Sequence, residues 1–287
     1  MKEFCSRACT SQIFSVLFFL FLLFPSGSLW PQSVHWTSEL AWEEGTLTIH
    51  GSQDIDDDGI RAYNSASRAI SMDAPNEWLN AVQELPLTSS EQAGDILLTD
   101  PALVSALADR FENAASSGSR PSRTIDEVRQ SWTLPLYETV IPVFSSHEIP
   151  RPLPSPIGWQ PERPATGLMI DARGRLPVHG TSDRVHLQPV LLPRIYDEEM
   201  NLVLSADMVN PEYLERWGVA AYSTTTDPEA HIERLGNDPL IVAADALFGR
   251  TPANPVIPAD AAHTLLIQEA NRHILVEGRI VILVDRL

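Results

Sequence analysis

Apolar residues in the first half of the chain recur at helical spacing. Between Ile60 and Leu85 they fall at steps of three and four, which places them on one face of a long helix. Pro75 lies within this stripe, and we expect a kink or a restart there because a proline has no backbone N–H. Asp100-Pro101 predicts the start of a second helix, since an aspartate cap precedes a first-turn proline.

Two extended segments flank these helices. The apolar positions of residues 40–50 suggest one strand, and residues 128–140 read as extended, with Trp132, Leu134 and Leu136 alternating. The order strand, long helix, helix, strand is typical of an α+β domain.

The second half contains many short apolar segments of strand length. "DEEMN", residues 197–201, predicts a turn between paired strands, and Asn210-Pro211 predicts a short helix that Gly218 ends. The apolar run Ile280–Val284 indicates a central strand buried on both faces. Further strands are predicted at 167–170, 185–196, 202–204, 219–222 and 239–243, with a helix around Ala261, Leu265 and Ile267.

Prolines divide the two halves. The stretch "IPRPLPSPIGWQPERP", residues 149–164, contains six prolines and predicts a semi-rigid linker over residues 149–165. The sequence therefore predicts an α+β protein of two small domains. These are a strand, long-helix, helix, strand domain at 38–148 and a strand-rich α+β domain at 166–287.

The first residues have the features of a secretory signal peptide. A short basic region precedes the apolar run Ile13–Phe24, and small residues follow at Ser26 and Ser28. The run is short for a membrane span, so we expect cleavage after Ser28 rather than an uncleaved anchor. An exported protein, periplasmic or associated with the outer membrane, is the resulting expectation.

Charge and cysteine content narrow the classes of function. The formal net charge is −18, and loss of Lys2, Glu3 and Arg7 with the leader would make it −19. Such a chain should be repelled by nucleic acid. The only lysine is Lys2, and both cysteines precede the apolar run, so the mature chain would have no lysine chemistry and no disulfide.

The string "DIDDDG", residues 54–59, begins as a calcium loop does. Asp54, Asp56 and Asp58 occupy positions 1, 3 and 5 of such a loop, but position 12 is Ser65 instead of a bidentate carboxylate. Aspartates also favour the start of a helix, where they accept hydrogen bonds from free N–H groups. Helix entry is the preferred interpretation, with weak calcium binding as the alternative.

A carboxylate and an arginine follow the strand at 167–170. Asp171 and Arg173 could form an ion pair that locks a turn, with Gly174 supplying an unusual backbone angle, or they could orient a ligand. No two histidines stand three or four residues apart, although His179 and His186 could meet across a hairpin. No catalytic residue and no cofactor other than calcium is predicted.

Several strings resemble a family of exported bacterial proteins. "TGLMIDARG" at 166–174, "WGVAAYS", "ERLGNDPLIVAA" and "GRIVILVD" are similar to a C-terminal TGLxIDARG-type domain of that family. "RAISMDAPNEWLNAVQELPL", "DPALVSALADRFENA" and "WTLPLYETV" resemble the domain of the flagellar outer-membrane lipoprotein FlgP, although the lipid-accepting cysteine is absent. The resemblance implies a structural part of a flagellar or outer-membrane assembly.

Together these features predict a non-enzymatic cell-envelope protein with a structural or assembly role. Its expected partners are envelope proteins, among them flagellar motor or outer-membrane components, or a second copy of the chain. A periplasmic module that binds calcium or a small ligand is the first alternative. A hydrolase with an unrecognised site is the second.

Overall fold

The computed structural model describes residues 33–55, 59–118, 122–123, 126–158 and 164–285. The predicted signal peptide, residues 1–28, lies outside these ranges. Within them, no helix has the length and apolar character needed to cross a membrane. The chain is an α+β protein with a strand-rich second half, as the sequence predicts.

The N-terminal half begins with a hairpin. Strands β1 (His35–Ala41) and β2 (Thr46–Asp54) pair antiparallel, with His35 opposite Ser52. The prediction of one strand over 40–50 is therefore wrong, because the chain reverses between Ala41 and Thr46. Gly45 has a φ of +63° in this turn, a backbone angle that glycine adopts without strain.

One long helix and several shorter elements complete this half. Helix α1 (Ile60–Gln83) continues through Pro75 rather than restarting there, since Ala74 and Trp78 are buried on either side of it. The remaining elements are α2 (Ala93–Leu97), α3 (Pro101–Gly118), β3 (Ser122–Arg123), β4 (Glu127–Pro135), α4 (Leu136–Thr139) and α5 (Ile141–Phe144). The extended prediction for 128–140 is thus correct only as far as Pro135, where the chain becomes helical.

The N-terminal sheet has the order β1-β2-β4-β3 and is antiparallel throughout. Alternate residues of β4, from Val128 to Leu134, are buried, while the intervening ones face outward. Helices α1 and α3 pack on the buried side, where Trp78 lies 5.4 Å from Phe111 between ring centroids. This arrangement has one apolar face and one polar face, as is common in antiparallel sheets.

The strands of the C-terminal half are β5 (Leu168–Asp171), β6 (Leu176–Pro177), β7 (Arg184–Val185), β8 (Ile195–Asp197), β9 (Leu202–Leu204), β10 (Ala221–Ser223), β11 (Leu240–Ala243), β12 (Ala246–Phe248), β13 (Asn254–Ile257) and β14 (Ile280–Leu283). They form a parallel sheet of order β10-β14-β5-β11 and a mixed sheet of order β12-β13-β8-β9. Strand β14 lies between β10 and β5, and all its residues are buried, as predicted. The predicted strand at 185–196 is instead two short strands, β7 and β8, separated by irregular chain.

Short helices connect these strands. Asn210 caps α6 through a bond from the Glu212 N–H, and Gly218 ends the helix, as predicted. The helices of this half are α6 (Pro211–Trp217), α7 (Ile232–Leu235), α8 (Ala259–Ile267) and α9 (Glu269–Val276), with 3-10 turns at Ala206–Met208 and Pro228–His231.

The proline-rich segment runs along the C-terminal half over residues 149–158, without helix or strand. The Arg151 N–H donates to the Asp207 carbonyl at 2.7 Å, and the side chain of Leu153 is buried. Arg272 donates to the Leu153 carbonyl at 3.4 Å. The segment is therefore packed against the protein and held by hydrogen bonds.

The two halves share one hydrophobic core. Trp42, in the turn between β1 and β2, packs edge-on against Tyr222 of β10, with 5.7 Å between ring centroids. The neighbouring Glu43 accepts a hydrogen bond from the Ser223 hydroxyl at 2.9 Å. The first hairpin is thus anchored at the carboxyl end of a strand in the second half. We call the whole contact between the halves the seam.

Backbone hydrogen bonds and close packing extend the seam. The N–H groups of Leu191 and Leu192 donate to the carbonyls of Pro86 and Leu87, at 2.9 and 2.7 Å. The Tyr137 ring lies so close to the end of α6 that a Cβ on Gly218 would come within 2.9 Å of it. The halves are therefore joined by main-chain bonds as well as by side chains.

Candidate functional site

The carboxyl ends of β5 and β14 lie side by side in the parallel sheet. Asp171 is the last residue of β5 and is in register with Leu283, the last of β14. Ligands of open sheets with parallel strands commonly bind outside this edge, where loops follow the strand ends. We call the polar residues that gather here the strand-end cluster: Asp171, Arg173, Gly174, His186 and Asp285.

Asp171 and Arg173 form a two-point ion pair. Arg173 Nε lies 2.8 Å from Asp171 Oδ1, and a terminal guanidinium nitrogen lies 2.7 Å from Oδ2. The Arg173 side-chain hydrogen bond holds the pKa of Asp171 below its usual value, and the same bond raises the pKa of Arg173. The structure therefore brings together the two residues that sequence reasoning singled out.

Gly174 connects this pair to the end of β14. Its φ is +78°, and its N–H donates to Asp285 Oδ2 at 2.8 Å. A side chain at this position would have open space around it but a strained backbone. The turn after β5 is thereby hydrogen bonded to the residues that follow β14.

His186 completes the cluster from the other side. Its Nδ1 lies 2.7 Å from Asp285 Oδ2, and this hydrogen bond, followed by the one from Gly174, keeps the pKa of Asp285 low. Sequence reasoning did not identify Asp285, because 99 positions separate it from His186. His179 packs near Phe248. The hairpin register places Leu176 opposite Val185 and Pro177 opposite Arg184, so the possible meeting of His179 and His186 does not occur by direct pairing across the hairpin.

An aspartate–histidine pair can position an imidazole for proton transfer when a nucleophile lies nearby. Ser223 supplies a hydroxyl group at the carboxyl end of β10, the strand beside β14. This hydroxyl donates its hydrogen bond to Glu43. The cluster can therefore do two things chemically. It can fix the loops after β5 and β14 relative to each other, and it can present a charged pair at the surface.

The acidic string at 54–59 is divided between two elements. Asp54 is the last residue of β2, opposite Glu127, so it does not belong to the helix entry. Asp56 and Asp58 lie outside the described residues, and α1 begins at Ile60, as predicted. The described part of the chain contains no group of three or more histidine, cysteine or acidic residues arranged to hold a metal. Calcium binding stays a prediction.

As a turn lock, Asp171 and Arg173 should be coupled in stability. Each single alanine variant is expected to be destabilised, and the double variant by less than the sum of the two single effects. The coupling is expected to be small, because both side chains are partly exposed. The carboxylate's pKa is lower in the fold, so this stabilisation exists above its unfolded pKa. It is lost as the pH falls through the folded pKa.

Denaturant melts of the two single variants and the double variant at neutral pH, repeated in acid, measure this coupling. Arg175→Ala is a matched control, since among the described residues the Arg175 guanidinium donates to the Arg184 carbonyl of its own hairpin and to no carboxylate. Additive, near-neutral effects of the Asp171 and Arg173 variants would contradict the lock and favour ligand binding at this edge.

Both halves of the chain match models of domains from one protein. Residues 33–142 match the model described as Treponema pallidum Tp0624, N-terminal domain, and residues 167–286 match the model of its second domain. The chain is thus similar to two consecutive domains in the same order. No curated protein matches the chain.

These matches overturn the resemblance to the FlgP family. Neither half matches a FlgP domain or a TGLxIDARG-type domain. Short strings of small, acidic and leucine residues occur in many amphipathic helices, so the N-terminal similarity carried little information. The predicted flagellar role rested on that resemblance, which no longer supports it.

Proposed function

We propose that this protein is a non-enzymatic part of the bacterial cell envelope, with a structural or assembly role exerted through contacts with other envelope proteins. The observation that supports the proposal is the seam. A shared core, the Trp42–Tyr222 contact and the bonds of Leu191 and Leu192 to the first half join the domains. Two domains fixed in this way present their outer surfaces at a constant spacing, which suits a component of an assembly.

The strand-end cluster supports the same role. Its carboxylates accept hydrogen bonds from Arg173 and from the Gly174 N–H, and one of them is hydrogen bonded to His186, so both are held by groups of the protein itself. Such pairs hold loops in place. The sequence adds two further arguments. The first residues resemble a leader, which supports export, and the net charge of −18 opposes binding to nucleic acid.

Photo-crosslinking in the source bacterium tests the proposal. The chain's only lysine lies in the predicted leader, so the mature protein would offer amine-directed reagents its N-terminal amine and no lysine side chain. A photoreactive residue at an exposed apolar position, Met72, Leu98 or Ile157, is expected to yield adducts with defined envelope proteins or with a second copy. The same residue at the buried Ile70 is the control and should yield none.

The same preparation tests export. The intact mass of the recovered protein should lack residues 1–28, whereas a full-length mass would indicate an anchor. A protein that stays monomeric and gives no adduct from any exposed position would contradict the structural role. The small-ligand alternative would then be the better account.

A further inference from the structure

A cleft of about 400 Å³ opens along the seam. Three parts of the chain line it: Thr88 from the N-terminal half, Arg151 from the connecting segment, and Arg194, Ser205 and Asp207 from the C-terminal half. Clefts at domain interfaces are preferred places for small ligands, and this volume lies within the usual range of about 300–1,000 Å³.

Main-chain bonds hold the walls of this cleft in place. The Leu192 N–H donates to the Leu87 carbonyl at 2.7 Å, which brings Thr88 and Arg194 to the same edge of the seam. The Arg194 N–H donates to the side chain of the buried Asn254 at 2.9 Å. A ligand would therefore meet walls that are already ordered, which reduces the entropy lost on binding.

The two guanidinium groups in the cleft differ in their partners. Arg151 Nε lies 2.8 Å from Asp207 Oδ2, and another of its nitrogens donates to Ser205 at 3.1 Å. The exposed Arg194 guanidinium makes no hydrogen bond or ion pair with any described residue. The cleft thus contains one guanidinium group that no described carboxylate pairs with, in a chain of net charge −18.

We propose that this cleft binds a small oxyanion, a phosphate or a carboxylate group, through Arg194 and Arg151. A guanidinium presents paired N–H donors whose spacing matches the oxygens of either group. The hydroxyl groups of Thr88 and Ser205 line the same cleft, where they donate to the carboxylates of Glu91 and Asp207. Each hydroxyl would have to turn away from its carboxylate to donate to the ligand. Because residues of both halves contribute, a bound anion would bridge the seam.

Isothermal titration calorimetry on the purified mature protein, with inorganic phosphate and with citrate as probes, tests the inference. Saturable binding of phosphate would assign a phosphate ligand, and saturable binding of citrate a carboxylate ligand. Arg194→Gln is expected to weaken the binding about tenfold or more, since hydrogen bonds to a charged group are among the strongest single contacts. Arg68→Gln is the matched control, because it removes an exposed arginine of α1 that does not line the cleft.

Asp207→Asn adds a test that loss of folding cannot imitate. It removes the carboxylate that now compensates Arg151, so the affinity for the anion is expected to increase severalfold. Three results would overturn the proposal: no saturable binding of either probe at millimolar concentration, equal affinity in Arg194→Gln and the parent protein, or weaker binding in Asp207→Asn. These measurements use purified protein alone and do not depend on the envelope role.

Discussion

Replacing Arg234 with alanine is expected to lower the free energy of unfolding by about 3–5 kcal/mol. This buried guanidinium donates to the carbonyls of Trp217, at 2.7 Å, and Gly278, at 2.9 Å. It also lies over the Trp217 ring, 5.5 Å from the centroid. Alanine would remove this donor from the Trp217 carbonyl, would leave the Gly278 carbonyl with the Ile280 N–H, and would open a cavity beneath α7.

Burial lowers the pKa of Arg234 to about 10, so the side chain remains charged at neutral pH and no carboxylate is needed to keep it so. Arg234→Lys should not restore stability, because one ammonium group cannot reproduce the planar fork of donors. Guanidinium melts followed by tryptophan fluorescence measure the effect.

Arg216→Ala is the control for this prediction. Arg216 pairs with Glu233 at 2.8 Å, but both side chains are more than half exposed. Its loss is expected to cost about 1 kcal/mol or less. Equal destabilisation of the Arg216 and Arg234 variants would contradict the importance of the buried guanidinium.

Trp42→Ala is expected to destabilise the protein by about 3–5 kcal/mol and to separate the unfolding of the two halves. The side chain is 9% exposed and fills the space between the first hairpin and Tyr222. Without it, the seam keeps its main-chain bonds but loses the contact between Trp42 and Tyr222. Differential scanning calorimetry should show one transition for the parent protein and a broadened or double transition for the variant.

Leu98→Ala is the control, since this leucine is 86% exposed and should change the stability by no more than about 0.5 kcal/mol. A single transition in Trp42→Ala at the midpoint of the parent protein would mean that the halves are held together by other contacts. The first hairpin would then contribute less to the stability of the seam than its contact with Tyr222 indicates.

The sequence predicts those elements whose signals are local. α1, α6 and β14 follow from apolar spacing, from the Asn210 cap and from an uninterrupted apolar run. The short helices α4 and α5 were missed because four residues are too few to show a helical period. The alternation from Trp132 to Leu136 continues across the end of β4, so periodicity alone could not locate that boundary.

The strand-end cluster shows the same limit. Asp171, Arg173 and Gly174 are neighbours in sequence, so their ion pair and turn could be anticipated. Asp285 and His186 could not, since their contact depends on β14 lying beside β5 in the sheet. The cleft at the seam forms only where the two halves dock, and its lining residues come from three separate parts of the chain. No single segment therefore has a motif from which the cleft could be predicted.

The position of β14 has a consequence for how the protein is made. This strand occupies the middle of the parallel sheet, yet it follows both of its neighbours, β5 and β10, in the chain. A polypeptide emerging from the ribosome cannot close the sheet until residues 280–283 have appeared, because β5 and β10 do not touch without them. Contacts between such distant residues also slow folding. The second half should therefore remain open to proteases and chaperones until β14 has emerged.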